Sequence, residues 1–152
     1  MRRADREISD RNEIDSIILG SKVCRLALCD KGMPYIVPLC FGYEVNRLYF
    51  HCASEGKKLD IIRENPSVSF EMDTDQELVT TEEGCGCSMR YRSVIGSGKA
   101  VLISEFKRKK AALDVIMTHY GLDPCDYPES MLDKTSIIEV KIEDLTGKKS
   151  GY

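Results

Sequence analysis

The residues best suited to chemistry lie in one stretch, Phe50-His51-Cys52-Ala53-Ser54-Glu55-Gly56-Lys57-Lys58-Leu59, where a strand-like run passes into a helix-like one. A helix N-terminus presents unpaired backbone N–H groups and a partial positive charge, which together attract phosphate. The same dipole disfavours lysines in a first turn, so Lys57 and Lys58 beside Gly56, with Ser54 as N-cap, read as an anion cradle. The plainer alternative is a pair of solvated lysines on a surface helix. A P-loop needs Gly-x4-Gly-Lys-[Ser/Thr]; the glycine upstream of Gly56 is missing, so this is not an NTPase of that type. His51 stands at the strand end just ahead of the cradle. It is either a hydrogen-bonded structural histidine or a proton donor, and the residue type allows both.

A second polar cluster, Tyr91-Arg92-Ser93-Val94, lies within a predicted strand, where Arg92 and Ser93 have the chemistry to hold a phosphate. The same residues also suit the polar face of a half-exposed strand. Glu71 and Asp73 lack the spacing of a metal site or an acid/base pair. Gly96-Ser97-Gly98 is followed by a strand rather than a helix, so it is no dinucleotide fingerprint; it reads as a bulge. Cys85-Gly86-Cys87 is the one close cysteine pair, and His51 and His119 are far from it in sequence. A redox pair or half a metal site is possible there, but an acidic loop with incidental thiols is the simpler reading, and no metal is expected.

The elements that must position these residues follow from periodicity. Residues 1–9 are polar and read as an arm. Asp10 caps a short amphipathic helix with apolar Ile14, Ile17 and Ile18, stopped at Gly20. Runs 23–29, 34–43 and 47–52 are strand-like and joined by hairpin-length turns, which favours an antiparallel sheet. Pro38 within a strand calls for a bulge, an edge or a ligand. A helix from Ser54 to Asn65 ends at Pro66, and 68–72 alternates as a strand. Residues 73–87 read as a long acidic excursion. A long or bent strand spans 88–104, a second amphipathic helix 105–120, an irregular stretch 124–128, and a closing strand 135–142. Six strands and three helices give an α+β fold, a six-stranded antiparallel β-barrel with flanking helices, over a single domain 1–152.

Composition bounds the rest. The 152 residues carry 22 Lys+Arg against 25 Asp+Glu, a net charge of −3, which argues against a dedicated nucleic-acid binder. No apolar run approaches a membrane span, and no apolar segment follows Arg2 and Arg3 as a secretory signal requires. Seven cysteines, an odd number, with no such signal point to a reducing cytoplasm in which most are small buried hydrophobes.

Taken in order, these segments resemble the pyridoxamine 5′-phosphate oxidase-like, flavin-binding split-barrel family, and most of all its nitroimidazole-resistance reductase branch. The resemblance is carried by Met1-Arg2-Arg3-x-Asp5-Arg6-Glu7, by Pro34-Tyr35-x-Val37-Pro38-Leu39-x-Phe41-Gly42-Tyr43, and by Leu48-Tyr49-Phe50-His51-x-Ala53-x-x-Gly56-Lys57-Lys58. Asn65-Pro66-x-Val68-x-Phe70-Glu71, Tyr91-x-Ser93-Val94-x-Gly96-x-Gly98-x-Ala100 and Thr146-Gly147-Lys148 extend it over nearly the whole chain. It implies a split barrel and a homodimer with FMN at the subunit interface. It also implies that Lys57 and Lys58 hold the FMN phosphate with Ser93 and Arg92, that Pro38 and Leu39 lie along the flavin ring, and that His51 works beside the cofactor. The expected activity is reduction of a small aromatic or nitro acceptor. The alternatives are a flavin-binding or electron-transfer protein without turnover, and a haem-binding relative using His51 or His119. Vitamin B6 oxidation is disfavoured, because too few arginines surround the implied site.

Overall fold

The structure, a computed structural model, describes residues 3–82 and 84–152. Asp10 caps helix α1 (Arg11–Gly20): its carboxylate accepts from the Asn12 backbone N–H, and Ile14, Ile17 and Ile18 turn inward as the 3.6-residue period requires. Strands β2 (Cys24–Asp30) and β3 (Met33–Leu39) form a hairpin closed by Lys31 and Gly32, both at positive φ (51° and 90°). Such a two-residue turn matches the twist of the strands. Strands β4 (Gly42–Glu44) and β5 (Arg47–Ala53) are closed the same way by Val45 and Asn46 at φ 47° and 61°. Val45 is a costly residue at positive φ. The turn is held from outside, since Asn46 donates to the Ile142 carbonyl and accepts from Arg11.

Helix α2 (Lys57–Glu64) follows, then β6 (Ser67–Val79), β7 (Ser88–Ile103), α3 (Phe106–His119), α4 (Glu129–Asp133) and β8 (Thr135–Ser150). One antiparallel sheet runs β3-β2-β6-β7-β8-β5-β4, with a short strand β1 (Glu7–Ile8) added to β8. The path of pairings is open rather than closed, and its helices cover parts of it, which is the α+β split-barrel arrangement. The inner face is filled by Leu26, Phe50, Phe70, Met72, Val94, Ile138 and Val140, with α1 and α2 packed at its ends. A smaller cluster of Ile103, Ala112, Leu113, Ile116, Leu132 and Ile137 seats α3 and α4 on the outside of β5, β7 and β8. Gly42 is required there: a Cβ on it would lie 2.7–2.8 Å from backbone atoms of Val115 and Ile116, so only glycine lets α3 approach β4.

Five expectations need correction. Among the described residues there are eight strands rather than six, and α4 makes a fourth α-helix. The polar arm is pinned: β1 pairs with Lys148 and Gly147, and Ile8 is buried in the core. The acidic excursion is largely strand, because β6 continues against β7 to Val79 past an irregularity between Thr74 and Glu77. Ladder hydrogen bonds need no apolar side chains, and Glu77 pairs with Arg90 across the ladder, so the hydrophobic pattern was silent. The closing strand likewise extends to Ser150 rather than 142. The bulge stands where it was expected at Gly98, where the β7–β8 register shifts and a Cβ would meet the Lys141 carbonyl. Only Cys24 of the six cysteines whose side chains are described is buried; Cys29, Cys40, Cys87 and Cys125 are exposed and Cys52 is intermediate. Alternation puts Cys29 on the outer face of β2, and Cys40 lies beyond the end of β3. The side chain of Cys85 lies outside the described residues, as do Met1 and Arg2. No described helix is long and apolar enough to cross a membrane.

The pinned N-terminus is tested by Ile8→Ala. Loss of a buried isoleucine side chain should lower the unfolding free energy in urea by about 2–4 kcal/mol. A change below about 0.5 kcal/mol would mean that the segment is not part of the core.

Candidate functional site

The site is built on the entry to α2. Leu59, Ile61 and Ile62 are 0–5% exposed, so the helix cannot rotate without losing its core contacts. This rotation leaves Lys57 exposed and Lys58 half-buried at the first turn. The N-cap is Gly56 at φ 139° and ψ 159°, not Ser54, and no side chain caps the helix. Ser54 sits exposed in the bend between β5 and α2. A Cβ on Gly56 would meet nothing within 4 Å, so φ rather than crowding selects glycine there. The Gly56 carbonyl starts the helix by accepting from Leu59 and Asp60. The first-turn N–H groups thus open onto an uncapped end flanked by two ammonium groups, which is the donor set a phosphate monoester requires.

Two residues that local sequence did not link to the cradle meet it in space. Lys57 Nζ lies 3.0 Å from Asp30 Oδ2 and 5.0 Å from the centre of the Tyr35 ring. Asp30 ends β2 and Tyr35 lies on β3, so the β2–β3 hairpin reaches the start of α2. No spacing rule connects positions 30 and 57. Behind the cradle, burial pushes the Cys52 thiol up while nearby Lys58 pulls the other way, so Cys52 is protonated at neutral pH and is no ready nucleophile. His51 is exposed on β5, on the face opposite buried Phe50 and in register with Ile137. It therefore stands free at the strand end five residues before Gly56. His119 is committed to packing: its Nε2 is 2.8 Å from the Ser21 carbonyl and its ring 4.3 Å from that of Phe41.

The 91–94 segment is not gathered with the lysines within one chain. Ser93 pairs in register with Asp73, and Asp73 binds Arg25. Arg25 and Asp30 are five residues apart on β2, about 17 Å at strand rise. Arg92 already has partners, with Asp75 at 2.7 Å, Glu13 at 3.8 Å and the Tyr152 ring 4.1 Å from its guanidinium carbon. Tyr91 faces Lys148, 5.5 Å from its ring centre, and Val94 is buried in the core. Pro38 is exposed on edge strand β3, while Leu39 turns inward against the core. The edge position removes the conflict of a proline in a sheet.

Between these two ends the outer face of β3, β2, β6 and β7 is open. Ile36 and Ile95 are 61% and 55% exposed on it, and a groove of about 450 Å³ is lined by Ala27, Cys29, Ser67, Ser69, Ser97 and Lys99, among others. The residues present fit FMN in part: the uncapped α2 entry suits its phosphate, and an apolar strand edge suits its ring. Among the described residues no group of three His, Cys, Asp or Glu side chains is arranged to hold a metal ion.

Comparison with known proteins adds to this geometry. The sequence model described as pyridoxamine 5′-phosphate oxidase matches residues 10–149. Among solved structures, a candidate 5-nitroimidazole antibiotic resistance protein from Bacteroides thetaiotaomicron is 35% identical, with a TM-score of 0.85 over 94% of this chain and 86% of that one. An FAD- and haem-binding protein from Mycobacterium smegmatis shares the fold at 19% identity, with a TM-score of 0.85 over 97% of this chain and 74% of that one. An uncharacterized protein from Rhizobium meliloti is 38% identical over 66 residues, which are 43% of this chain and 42% of that relative. The match thus spans less than half the length of that curated relative. With a matched segment from the cap of α1 to the end of β8, the chain belongs to the pyridoxamine 5′-phosphate oxidase family.

Proposed function

We propose that this protein is a flavoprotein oxidoreductase that binds FMN between two copies of the chain and reduces a small aromatic or nitro acceptor. The observation that carries the reading is the uncapped start of α2, with Gly56 at positive φ and Lys57 and Lys58 in the first turn. Family membership and the likeness to the candidate 5-nitroimidazole resistance protein support it. FMN, when bound, supplies the redox chemistry. The chain's own residues bind and orient it. Lys57, Lys58 and the first-turn N–H groups hold the phosphate, with Ser54 beside them at the bend; Pro38 and the β3 edge lie along the ring.

A second copy is part of the reading. The open outer face of β3, β2, β6 and β7, with Ile36 and Ile95 exposed, suits an interface between copies. Such a dimer brings Tyr91 and Ser93 of one protomer toward the lysines of its partner, which a single protomer keeps apart, while Val94 stays in the core beneath them. Arg92, held by Asp75 and Glu13, serves the frame of that strand rather than the phosphate. His51, exposed and without a protein partner among the described hydrogen bonds, is placed to donate a proton or hydrogen bond to the acceptor.

The purified protein should be yellow, and sedimentation should show a dimer. Lys57→Ala with Lys58→Ala should weaken FMN binding tenfold or more while leaving riboflavin, which lacks the phosphate, nearly unaffected. Unchanged FMN affinity would show that the cradle lies elsewhere. His51→Ala should spare FMN affinity and slow reoxidation of the reduced flavin by a nitroaromatic about 10²-fold. Normal turnover in that variant removes His51 from the reaction. If the wild-type reduced protein reacts with the nitroaromatic no faster than free reduced FMN does, the reductase reading fails and a flavin-binding or electron-transfer role replaces it. A larger affinity for FAD than for FMN would likewise overturn the choice of cofactor.

A further inference from the structure

Resting on the α2 entry as the phosphate site, we propose that Asp30 is an internal counter-ion that competes with the bound phosphate for Lys57 and so sets how tightly the protein holds a phosphorylated cofactor. Asp30 is fixed rather than mobile. It is the last residue of β2, paired with Met33, and the Lys31-Gly32 turn behind it has both residues at positive φ. A two-residue turn of this kind leaves the flanking pair no alternative register. The carboxylate is therefore delivered to one place, 3.0 Å from Lys57 Nζ, where Asp30 is 31% and Lys57 58% exposed. Tyr35, two residues beyond Met33 on the partner strand, presents its ring 5.0 Å from the same ammonium group. Lys57 is thereby drawn toward the hairpin.

The charge arithmetic follows from these positions. A phosphate dianion at the α2 entry meets two ammonium groups, Lys57 and Lys58, but one of them already faces a carboxylate. Glu55 before the turn and Asp60 within it are exposed, and Asp60 is paired with Arg63 at 2.7 Å. Among the described residues Asp30 is thus the one carboxylate paired with a cradle lysine. Binding the dianion requires Lys57 to exchange this partner or share it. The loss is of the size of an exposed ion pair, which is a factor of about two to five in affinity. The effect is confined to ligands that carry the phosphate, so it changes the ratio of FMN to riboflavin affinity and not the affinity for the ring.

The experiment measures FMN and riboflavin dissociation constants by fluorescence quenching for wild type, Asp30→Asn, Asp30→Glu and Lys57→Ala with Lys58→Ala. Asn keeps the size of Asp and removes its charge. Asp30→Asn should tighten FMN about two- to fivefold at low salt without changing riboflavin, with the gain shrinking as salt is raised. Asp30→Glu, which restores a carboxylate, should return the FMN to riboflavin ratio to the wild-type value. An unchanged or lowered ratio in Asp30→Asn, with the lysine variant still weakening FMN, overturns the role of Asp30 and leaves the phosphate site standing. If the lysine variant leaves FMN unchanged as well, the phosphate site itself is misplaced, and the inference falls with it. Should Asp30→Asn alter riboflavin and FMN equally, Asp30 acts on the fold of the hairpin, which also overturns the inference.

Discussion

The burial of Leu59, Ile61 and Ile62 is the constraint on which the candidate site depends. Three of the eight residues of α2 are buried at the end of the sheet, so the helix has one rotation and one depth. With its rotation fixed, its first turn must face outward, and Lys57 and Lys58 have no route into the core. Gly56 completes the arrangement from the other side. Its φ of 139° brings the chain out of β5 and into the helix without a side-chain cap, so the first N–H groups remain available. The candidate anion site is thus a by-product of hydrophobic packing, with charge at positions that packing leaves exposed, at Lys57, or half-buried, at Lys58.

The same economy shapes the sheet. Strands β7 and β8 are sixteen residues each and pair along most of their length, so one ladder connects the α2 end to the α1 end. Gly96 and Gly98 make this possible, since side chains there would strike Phe70 and the Lys141 carbonyl. At the far end Arg92 ties this ladder to α1 through Glu13, to β6 through Asp75, and to Tyr152 by stacking. The length of the ladder is also what separates Ser93 from the lysines. A strand is stiff over such a distance, so the two ends stay apart within one chain.

Much of the fold was legible in the residues. The cap at Asp10, the inward Ile14, Ile17 and Ile18, the hairpin turns at 31–32 and 45–46 and the glycine at the β7 bulge all follow from local chemistry that acts over a few positions. What was missed shares a different character. Ser54 reads as the N-cap because serine caps helices well, yet Gly56 two residues on adopts a φ that serine resists, and the helix starts there. Ile8 reads as part of a polar arm by its neighbours, but β8 supplies it with a ladder partner and a core. The acidic run after Asp73 reads as loop because its side chains carry no apolar period, whereas backbone pairing with β7 holds it as strand.

The sequence by itself determined the family, most of the elements and the one uncommon stretch, Gly56-Lys57-Lys58 following His51, because these depend on residue type and short-range spacing. Only the tertiary structure decided what stands opposite them. Asp30 and Tyr35 meet Lys57 because a hairpin and a helix distant in sequence pack on the same end of the sheet. Arg92 is spent on Asp75 and Glu13 because a register irregularity in β6 and the packing of α1 bring those carboxylates to it. Charge pairing acts through space, and the distances that fix it are set by the packing of elements remote in the chain.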